Sequence, residues 1–416
     1  MKPEAIAPNL IVEVLDETGI RHIDAAQWDE LARNGLDDNP FYARSYVLAG
    51  LNTIDRASGL RAVVIQSRDR SQLLGIFPFR YKRFPLPRAV AATNLYQFCG
   101  QPLISKEHAD AVIAAWVDAI KTRQIPRRWS FPHLDLSSHF AKRLNLLAGD
   151  EALRCLPLVN YQRARLARTS RDFAEHLSSA VSKSRVKDIQ RTLRRLEGLG
   201  ELRFERATEP ALVAQRIEQF LAVEHAGWKG KASTSFLADP EHARFARQAF
   251  CPHQGLTSVD SLLLDGEPIA LSVNIRSGDT IFTPKCAYDE TYRKYSPGLA
   301  LEYLVVEAFY GSDDCRDMDS STTVDGHVVQ SLWNCGAPMG TFVVGPQNWG
   351  TDFLAQLHTM SRAARQGAKT LNTGVAGQAF IFVRAWRQRV QRLNSDIVMG
   401  GTCLLHTVEN VLPQVL

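Results

Sequence analysis

The sequence predicts an α/β (α+β) protein with two tandem halves, each a mixed, mostly antiparallel sheet flanked by helices, followed by a helical tail. Three observations carry this prediction. Helix-type and strand-type apolar patterns alternate along the chain. The order of elements in residues 166–344 repeats the order in residues 1–165. The dipeptides Asp265-Gly266 and Ser277-Gly278 separate three apolar runs, which indicates a meander of hairpins.

The first half, residues 1–165, begins with a strand and two helices that precede a run of strands. Asn39-Pro40 separates the two helices, and the β-branched run 62–66 is typical of a buried strand. In chain order we predict a strand at Leu10–Leu15, helices at Asp24–Asn34 and Tyr42–Leu51, strands at Leu60–Gln66 and Gln72–Tyr81, a helix at His108–Ile120 and a strand near Arg128–Leu134.

The second half, residues 166–344, repeats this order, and a tail of residues 345–416 follows it. Its most basic helix carries a narrow apolar stripe at helical spacing, which predicts one packed face. Its basic face is either simply solvated or turned to an acidic partner such as a sugar nucleotide, a lipid phosphate or tRNA. We predict helices at Arg171–His176, Ser182–Leu196 and Glu209–His225, strands at Leu256–Leu264, Ile269–Ile275 and Thr280–Ala287, a helix at Leu299–Phe309, a strand at Asp317–Ser320, and tail helices at Leu354–Arg365 and Ala379–Leu393.

Composition and charge narrow the class of protein. The 416 residues carry a net charge of only +5, which is too small to imply nucleic acid as a partner. The seven cysteines are dispersed without a CxxC pair, which argues against a disulfide framework and against a zinc or other metal site. No apolar signal core or membrane-spanning run is present, so we expect a cytoplasmic monomer or dimer. The basic amphipathic tail helix leaves peripheral membrane contact open, beside docking on the body of the protein.

The stretch from Cys286 to Leu304 is the most informative part of the chain. It is the pattern of a strand end, a basic loop with Arg293 and Lys294, and a helix that begins at Pro297-Gly298. A helix N-terminus presents free N–H groups and partial positive charge, and glycine lets a ligand approach the backbone. A pyrophosphate-containing ligand is therefore one interpretation. The other is a proline in the first helical turn and a glycine kept for packing.

Several sequence segments resemble one known family. The layout resembles the GNAT acyltransferase fold, and the segments look like the BioF2-like acetyltransferase domain of the CelD/BcsL group, relatives of the FemX-like double-GNAT proteins. The segments that carry the resemblance are NPFYARSY (39–46), LLGIFPF (73–79), NLYQFCGQPLIS (94–105), SKSRVKDIQRTLRRLE (182–197), EHAGWKGK (224–231) and YDETYRKYSPG (288–298). Gly298 and Ala300 match the last two small positions of the GNAT phosphate loop, whereas Tyr295 and Ser296 depart from it.

The resemblance implies two tandem GNAT-like domains and acetyl-CoA or another acyl-CoA as co-substrate. The second domain should hold the acyl-CoA, with the pantetheine arm along the fourth strand and the pyrophosphate on the loop. The implied cofactor-binding residues are Lys285, Cys286, Ala287, Arg293, Lys294, Tyr295, Ser296, Pro297, Gly298, Leu299 and Ala300. The first domain offers no glycine-containing loop that opens a helix, so we expect it to shape the acceptor cleft without binding cofactor.

Acyl transfer to an amine requires a base, donors for the oxyanion and a proton for the leaving thiolate. Glu224, Tyr288 and Asp289 are the candidate catalytic residues. The candidate substrate-binding residues are His225, Trp228, Lys229, Asp319 and His327. Each has an alternative interpretation: Glu224 and His225 as a solvated helix end, Trp228 as a core indole, the tyrosines as packing residues, and Asp319 and His327 as parts of a polar loop.

We therefore expect an acyl-CoA-dependent N-acyltransferase acting on a small molecule or a sugar precursor of the cell envelope, as in polysaccharide biosynthesis. Two alternatives remain open. The FemX side of the resemblance implies an aminoacyl-tRNA donor, against which the low net charge and the lack of a long helical insertion argue. A non-catalytic GNAT-like scaffold in polysaccharide assembly would bind no CoA.

Overall fold

The computed structural model describes residues 10–150, 153–250, 256–323 and 328–371. The chain divides into two compact units, residues 1–355 and 356–416. The first unit contains all of the strands described here, and the second contains the residues of the last described helix from Gln356 to Leu371. Within the described ranges, no helix is both long enough and apolar enough to cross a membrane.

The first half contains six strands and five helices. These are β1 (Leu10–Leu15), α1 (Glu17–Arg21), α2 (Ala25–Arg33), α3 (Arg44–Asn52), β2 (Leu60–Ser67), β3 (Leu73–Lys82), β4 (Arg88–Ala91), β5 (Leu103–Ile104), α4 (Ala109–Lys121), β6 (Trp129–Asp135) and α5 (His139–Asp150). Aromatic rings fill the core between the sheet and α4, where Phe77 stacks on Trp116 and Trp116 meets Trp129 edge-on. These rings bury the large apolar area that stabilises this half.

The second half begins with a long strand that continues directly from the first half. Its elements are β7 (Leu153–Ala167), α6 (Phe173–Ala180), α7 (Lys183–Glu197), β8 (Leu202–Ala207), α8 (Pro210–Ala226), α9 (Trp228–Lys231), α10 (Pro240–Ala249), β9 (Thr257–Leu264), β10 (Glu267–Ser277), β11 (Thr280–Tyr288), α11 (Pro297–Tyr310), β12 (Asp317–Asp319), β13 (Cys335–Pro346) and α12 (Trp349–Leu371). The apolar stripe of α7 packs as predicted, since Ile189 and Leu196 are buried.

One continuous sheet runs through both halves, in the order β1-β2-β3-β4-β6-β13-β7-β12-β11-β10-β9-β8, with β5 paired to β3. Among the described strands, only β4–β6 and β11–β12 pair in parallel. The predicted mixed, mostly antiparallel α/β fold is confirmed. The strand β13 comes from the end of the second half and lies between β6 and β7, so it joins the two halves edge to edge.

The turns of the predicted meander are formed by the expected residues. Asp265 and Gly266 have φ angles of 51° and 86°. A two-residue hairpin loop with a type I′ turn requires positive φ angles at both of these positions. Gly278, with φ 53°, forms the next turn, where the Thr280 hydroxyl donates to the Asp38 carboxylate at 2.7 Å. This contact ties the second half to the first at the start of β11. The expected boundary at residue 165 falls inside β7, and the tail helix expected at 379–393 lies outside the described residues.

Candidate active site

The strands β11 and β12 form a fork. They pair in parallel only over three residues each, from Thr280↔Asp317 to Phe282↔Asp319. Beyond this point the Thr283 hydroxyl donates to the Asp319 carbonyl at 3.4 Å, and no further β12 pairing follows in the described chain. The rest of β11 pairs with β10 on its other side from Lys285 to Tyr288, after an irregularity at residues 283 and 284. One edge of β11 is therefore open along about half of its length.

The register decides which backbone groups of β11 face this open edge. The Asp289 N–H donates to the Ile269 carbonyl of the neighbouring segment at 2.9 Å. In an antiparallel pair the hydrogen-bonding direction alternates from residue to residue, so the backbone groups of Cys286 and Tyr288 point away from β10. The Cys286 carbonyl confirms this direction, because it accepts from the Lys229 ammonium at 3.4 Å. The N–H groups of Cys286 and Tyr288 are thus available at the fork.

A buried ion pair lies beside the open edge. Glu224, near the end of α8, accepts from the Lys229 ammonium at 2.8 Å and from the Phe236 N–H at 2.9 Å. Gly230 makes this tight connection possible, because a Cβ there would lie 1.7 Å from the His225 carbonyl oxygen. The carboxylate of Glu224 is therefore not part of a solvated helix end. It holds Lys229 against the backbone of β11.

Lys285 projects from the open part of β11 into a box of three aromatic rings. Its ammonium nitrogen lies 4.7 Å from the ring centre of Tyr96, 5.2 Å from that of Phe236 and 5.7 Å from that of Phe98. The pKa of Lys285 falls from 10.5 to about 8, mainly because burial disfavours the ammonium. The charge of Lys229 adds to the fall in this pKa. A lysine with this pKa is partly neutral at physiological pH and can accept a proton.

The aromatic box was missed by the sequence interpretation. Tyr96 and Phe98 belong to the first half, whereas Phe236 follows α9 in the second half. The Tyr96 hydroxyl is hydrogen-bonded to Nδ1 of His242 at 2.8 Å, which fixes its ring. The only available signal was a lysine within the otherwise uncharged strand 280–288, and it gives no information about which rings would surround it.

The loop after β11 has the shape of a phosphate site. Residues Glu290–Tyr295 form one 3-10 turn, Ser296 adopts the left-handed conformation with φ 45°, and α11 follows. The N–H groups of Leu299 and Ala300 both donate to the Ser296 carbonyl. The N–H of Gly298 has no acceptor among the described residues, and a Cβ at Gly298 would meet only a ring carbon of Tyr288, at 3.6 Å. The described part of the chain therefore leaves space beside Gly298.

Two basic side chains lie beside the ring of Tyr295 at this loop. The Arg195 guanidinium of α7 and the Lys294 ammonium each lie 4.9 Å from the Tyr295 ring centre. The Glu290 carboxylate accepts from the Trp228 N–H at 2.7 Å and pairs with Lys231 at 3.3 Å, which anchors α9 to the loop. The predicted basic loop and the basic helix α7 thus meet.

The structure brings most of the other predicted residues to this region. Trp228 is 57% exposed, so it is not a core indole, and His225 is hydrogen-bonded to Ser235 at 2.9 Å. Tyr288 packs partly buried against the core cluster that contains α11. Asp289 caps the 3-10 turn by accepting from the Thr291 N–H at 2.8 Å. The remaining predicted residues of β11 and of the loop, namely Ala287, Arg293 and Pro297, are contiguous with them, and His327 lies outside the described residues.

A cleft of about 1290 Å³ lies between the two halves and reaches Phe282 and Asp319 at the fork. Asp319 is buried there against Arg163, whose guanidinium also donates to the Phe98 and Thr322 carbonyls at 2.6 and 2.9 Å. Acidic side chains outnumber basic ones in the lining: Glu30, Asp37, Asp38, Glu107, Asp135, Asp279, Asp317 and Asp319 against Arg33, Lys106, Arg163 and Arg165. The cleft is therefore suited to a cation, although the whole chain is positively charged.

The likeness to known proteins agrees with this geometry. Residues 183–326 match the family described as acetyltransferase (GNAT) domain. The match to the crystal structure of FemX covers 80% of this chain and 96% of the FemX chain, with a TM-score of 0.52 at 10% sequence identity. The match to the C-terminal domain (DUF2156) of a putative lysylphosphatidylglycerol synthetase from Agrobacterium fabrum covers 81% of this chain and 95% of that domain, with a TM-score of 0.50 at 14% sequence identity. Identities this low establish the fold alone. No curated protein gives a significant match to the sequence.

Proposed function

We propose that the chain is an acyl-CoA-dependent N-acyltransferase of the BioF2-like (CelD/BcsL) type, which the GNAT-domain match of residues 183–326 and the fold shared with FemX support. One observation carries the proposal: the open edge of β11 leads directly to the unfilled N-terminus of α11 at Gly298. An extended arm that ends in a pyrophosphate matches this combination of a free strand edge and a helix end.

The acyl-CoA would lie along the fork. Its pantetheine amides would pair with backbone groups of the segment 284–287, as an added strand does. Its pyrophosphate would accept from the Gly298 N–H, and Arg195 and Lys294 would supply charge to the phosphates. In this arrangement the thioester carbonyl would lie beside Cys286, whose N–H faces the gap. A preorganised N–H at that position stabilises the oxyanion of the tetrahedral intermediate.

Lys285 is the proposed base. The acceptor ammonium gives one proton to neutral Lys285, and the freed lone pair forms the C–N bond at the thioester carbonyl. When the C–S bond breaks, the Tyr288 hydroxyl gives its proton to the CoA sulfur, and the second proton lost by the nitrogen restores that hydroxyl. The proton held by Lys285 then passes to water. The products are the amide, CoA thiol and one proton released to water. Glu224 holds Lys229 in place, and the charge of Lys229 keeps the pKa of Lys285 low. Asp289 positions Tyr288 by capping the loop.

The acidic cleft supports a cationic acceptor, such as an amino sugar or a polyamine. Its excess of carboxylates attracts an ammonium group and raises its local concentration. Trp228, exposed beside the ion pair, offers a flat apolar wall to the acceptor. An amine on a sugar precursor of a cell-envelope polysaccharide fits both features.

The first half supports the assignment of the acyl-CoA to the second half. Its own chain occupies the fork between β4 and β6, where the Gly100 N–H donates to the His133 carbonyl at 3.2 Å. A Cβ on Gly100 would lie 2.1 Å from the Pro132 carbonyl oxygen, so the segment is pressed against β6. A pantetheine arm would have to displace this segment.

The overall likeness to FemX favours a second candidate, transfer of an amino acid from aminoacyl-tRNA. The two candidates differ in what binds at the α11 N-terminus. We expect acetyl-CoA titrated into the protein to release heat with a Kd between about 1 µM and 1 mM, in the usual range for such substrates. Binding of aminoacyl-tRNA with a steep salt dependence, and no heat or thermal protection from millimolar acetyl-CoA, would reject the proposal in favour of the second candidate. Absence of both responses would favour a scaffold.

A further inference from the structure

A cluster of basic residues lies at one end of the sheet, far along the chain from the proposed active site. We name it the basic rim: Lys82, Arg83, Arg88, Arg127 and Arg128. Lys82 ends β3 and pairs with Arg88 at the start of β4, and the Ala89 N–H donates to the Arg128 carbonyl at 2.8 Å. Because β3, β4 and β6 are consecutive strands, these residues span about 10 Å, the width of two inter-strand spacings.

The charges of the basic rim are not compensated by the protein. Among the described residues, no carboxylate forms an ion pair with any member of the rim. The pKa of Lys82 is lowered by burial and further by Arg80 and Arg88, and that of Arg128 is lowered by burial and by Arg127. Folding therefore holds like charges together at an energetic cost, which an external anion would relieve.

Two buried hydrogen-bond donors in the rim are also unused. The Nε atoms of Arg88 and Arg128 are inaccessible to solvent and have no hydrogen-bond partner within the part of the chain that the structure describes. Buried donors of this kind are rare in folded proteins because each costs free energy. One other nitrogen of each guanidinium group holds the surface together, since Arg88 donates to the Phe84 carbonyl at 2.9 Å and Arg128 to the Asn348 side chain at 3.1 Å.

These two contacts place large aromatic side chains at the rim. Phe84, in the loop held by Arg88, is 87% exposed. Trp349, next to the Asn348 held by Arg128, is 72% exposed. An isolated exposed aromatic residue is ordinary, but two beside uncompensated basic residues combine the features of an interfacial membrane anchor. A soluble polyanion would use the charges but would leave Phe84 in water.

We propose that the basic rim, with Phe84 and Trp349, docks the protein on an anionic membrane surface. The arginine and lysine side chains bind the lipid phosphates, and the two aromatic side chains enter the headgroup region. Docking is independent of the proposed acyl transfer.

The test uses the full chain and vesicles of phosphatidylcholine, with or without 30% phosphatidylglycerol. We expect the protein to sediment with the anionic vesicles and to be released by salt. The double substitution Arg83→Glu and Arg127→Glu should lower the partition coefficient at least 25-fold, from about fivefold for each positive charge that is lost. Phe84→Ser should lower it roughly fivefold, as expected for partial insertion of one phenyl ring.

Lys187→Glu is the matched control, because Lys187 is exposed on the basic helix α7. It should leave vesicle binding unchanged, and circular dichroism should confirm that every variant is folded. The proposal fails if Lys187→Glu removes binding while the rim variants bind normally. It also fails if the protein binds heparin through the rim but does not sediment with anionic vesicles, which would identify a soluble polyanion as the partner.

Discussion

Replacing Lys285 by methionine should stabilise the protein at pH 7 and lose this advantage at pH 10.5. Lysine in an unfolded chain has a pKa near 10.5, whereas the folded pKa of Lys285 is about 8. The unfolded state therefore binds more protons between these two values, and the stability of the wild type rises with pH across that window. Below pH 8 the full cost of burying the ammonium is present.

The magnitude follows from the two pKa values. A fall from 10.5 to about 8 corresponds to about 3 kcal/mol at 1.36 kcal/mol per pKa unit. This is an upper bound, because contacts of the ammonium with the rings of Tyr96, Phe98 and Phe236 are each worth about 0.5–1 kcal/mol and are lost with the charge. Methionine keeps the length of the side chain and the apolar contacts. We expect a net gain of about 1–2 kcal/mol at pH 7.

The assay is thermal unfolding of both proteins from pH 7 to pH 10.5. The difference in Tm between Lys285→Met and wild type should be positive at pH 7 and should shrink as the pH rises through 8 to 10.5. Lys187→Met, on the exposed face of α7, should give a difference that does not change with pH. The reasoning is refuted if Lys285→Met and Lys187→Met behave alike, because Lys285 would then titrate as an ordinary solvated lysine.

Two further predictions concern the loop and the ion pair. Gly298→Val should raise the Kd for acetyl-CoA at least tenfold, because the valine side chain fills the open space in front of the helix end. Gly311→Val, at the other end of α11, should leave this Kd unchanged. Equal affinities of the two variants by calorimetry would contradict this prediction. Glu224→Gln should lower the unfolding free energy by about 1–3 kcal/mol, because Lys229 keeps its charge but loses its buried partner. Lys231→Gln breaks an exposed ion pair with Glu290 and should lower the unfolding free energy by at most about 1 kcal/mol. If urea unfolding gave equal losses for Lys231→Gln and Glu224→Gln, burial of the Glu224–Lys229 pair would not affect its contribution to stability.

The local elements of the fold were predictable because short-range rules determine them. The hairpin from Thr257 to Ser277 turns at Asp265-Gly266, where the required positive φ angles select those residue types. Helix α7 follows from its apolar stripe and its serine cap, since the Ser182 hydroxyl accepts from the Arg185 N–H. The predicted helix at Arg171–His176 was displaced to Phe173–Ala180, because Asp172 serves as its N-cap.

The strands β7 and β13 were not predicted, because their pairing is entirely non-local. The segment Leu153–Ala167 alternates apolar and charged residues, but several arginines and a proline obscure the pattern. The segment Cys335–Pro346 contains two prolines and three glycines. When only the local sequence is considered, such a composition is typical of a loop. Each becomes a strand only because the other offers a complete partner edge, from Cys335↔Arg165 to Pro346↔Leu153.

The candidate site shows the same division between local and non-local information. The turn and helix start of the loop 288–298 were predictable from its own residues, because a helix end is built from consecutive positions, and the phosphate site there stays a prediction. The surroundings of Lys285 were not found, since its rings come from residues 96, 98 and 236, which no local rule relates. Arg163 was missed for the same reason, because its partners lie in two distant segments, at residue 98 and at residues 319–322.

The candidate active site therefore includes residues that lie outside the segment matched by the GNAT family. The match spans 183–326, but two of the three rings around Lys285 and the Arg163 that holds Asp319 lie outside it. The Tyr46 hydroxyl donates to the Tyr96 carbonyl at 2.6 Å, so the Tyr96 side of the box is held by the backbone of the first half as well as by His242. Because the low pKa of Lys285 depends on this enclosure, the first half would contribute to the proposed chemistry through Tyr96 and Phe98. A double domain is then required by the proposed mechanism, since the second half alone would leave Lys285 in water with an ordinary pKa.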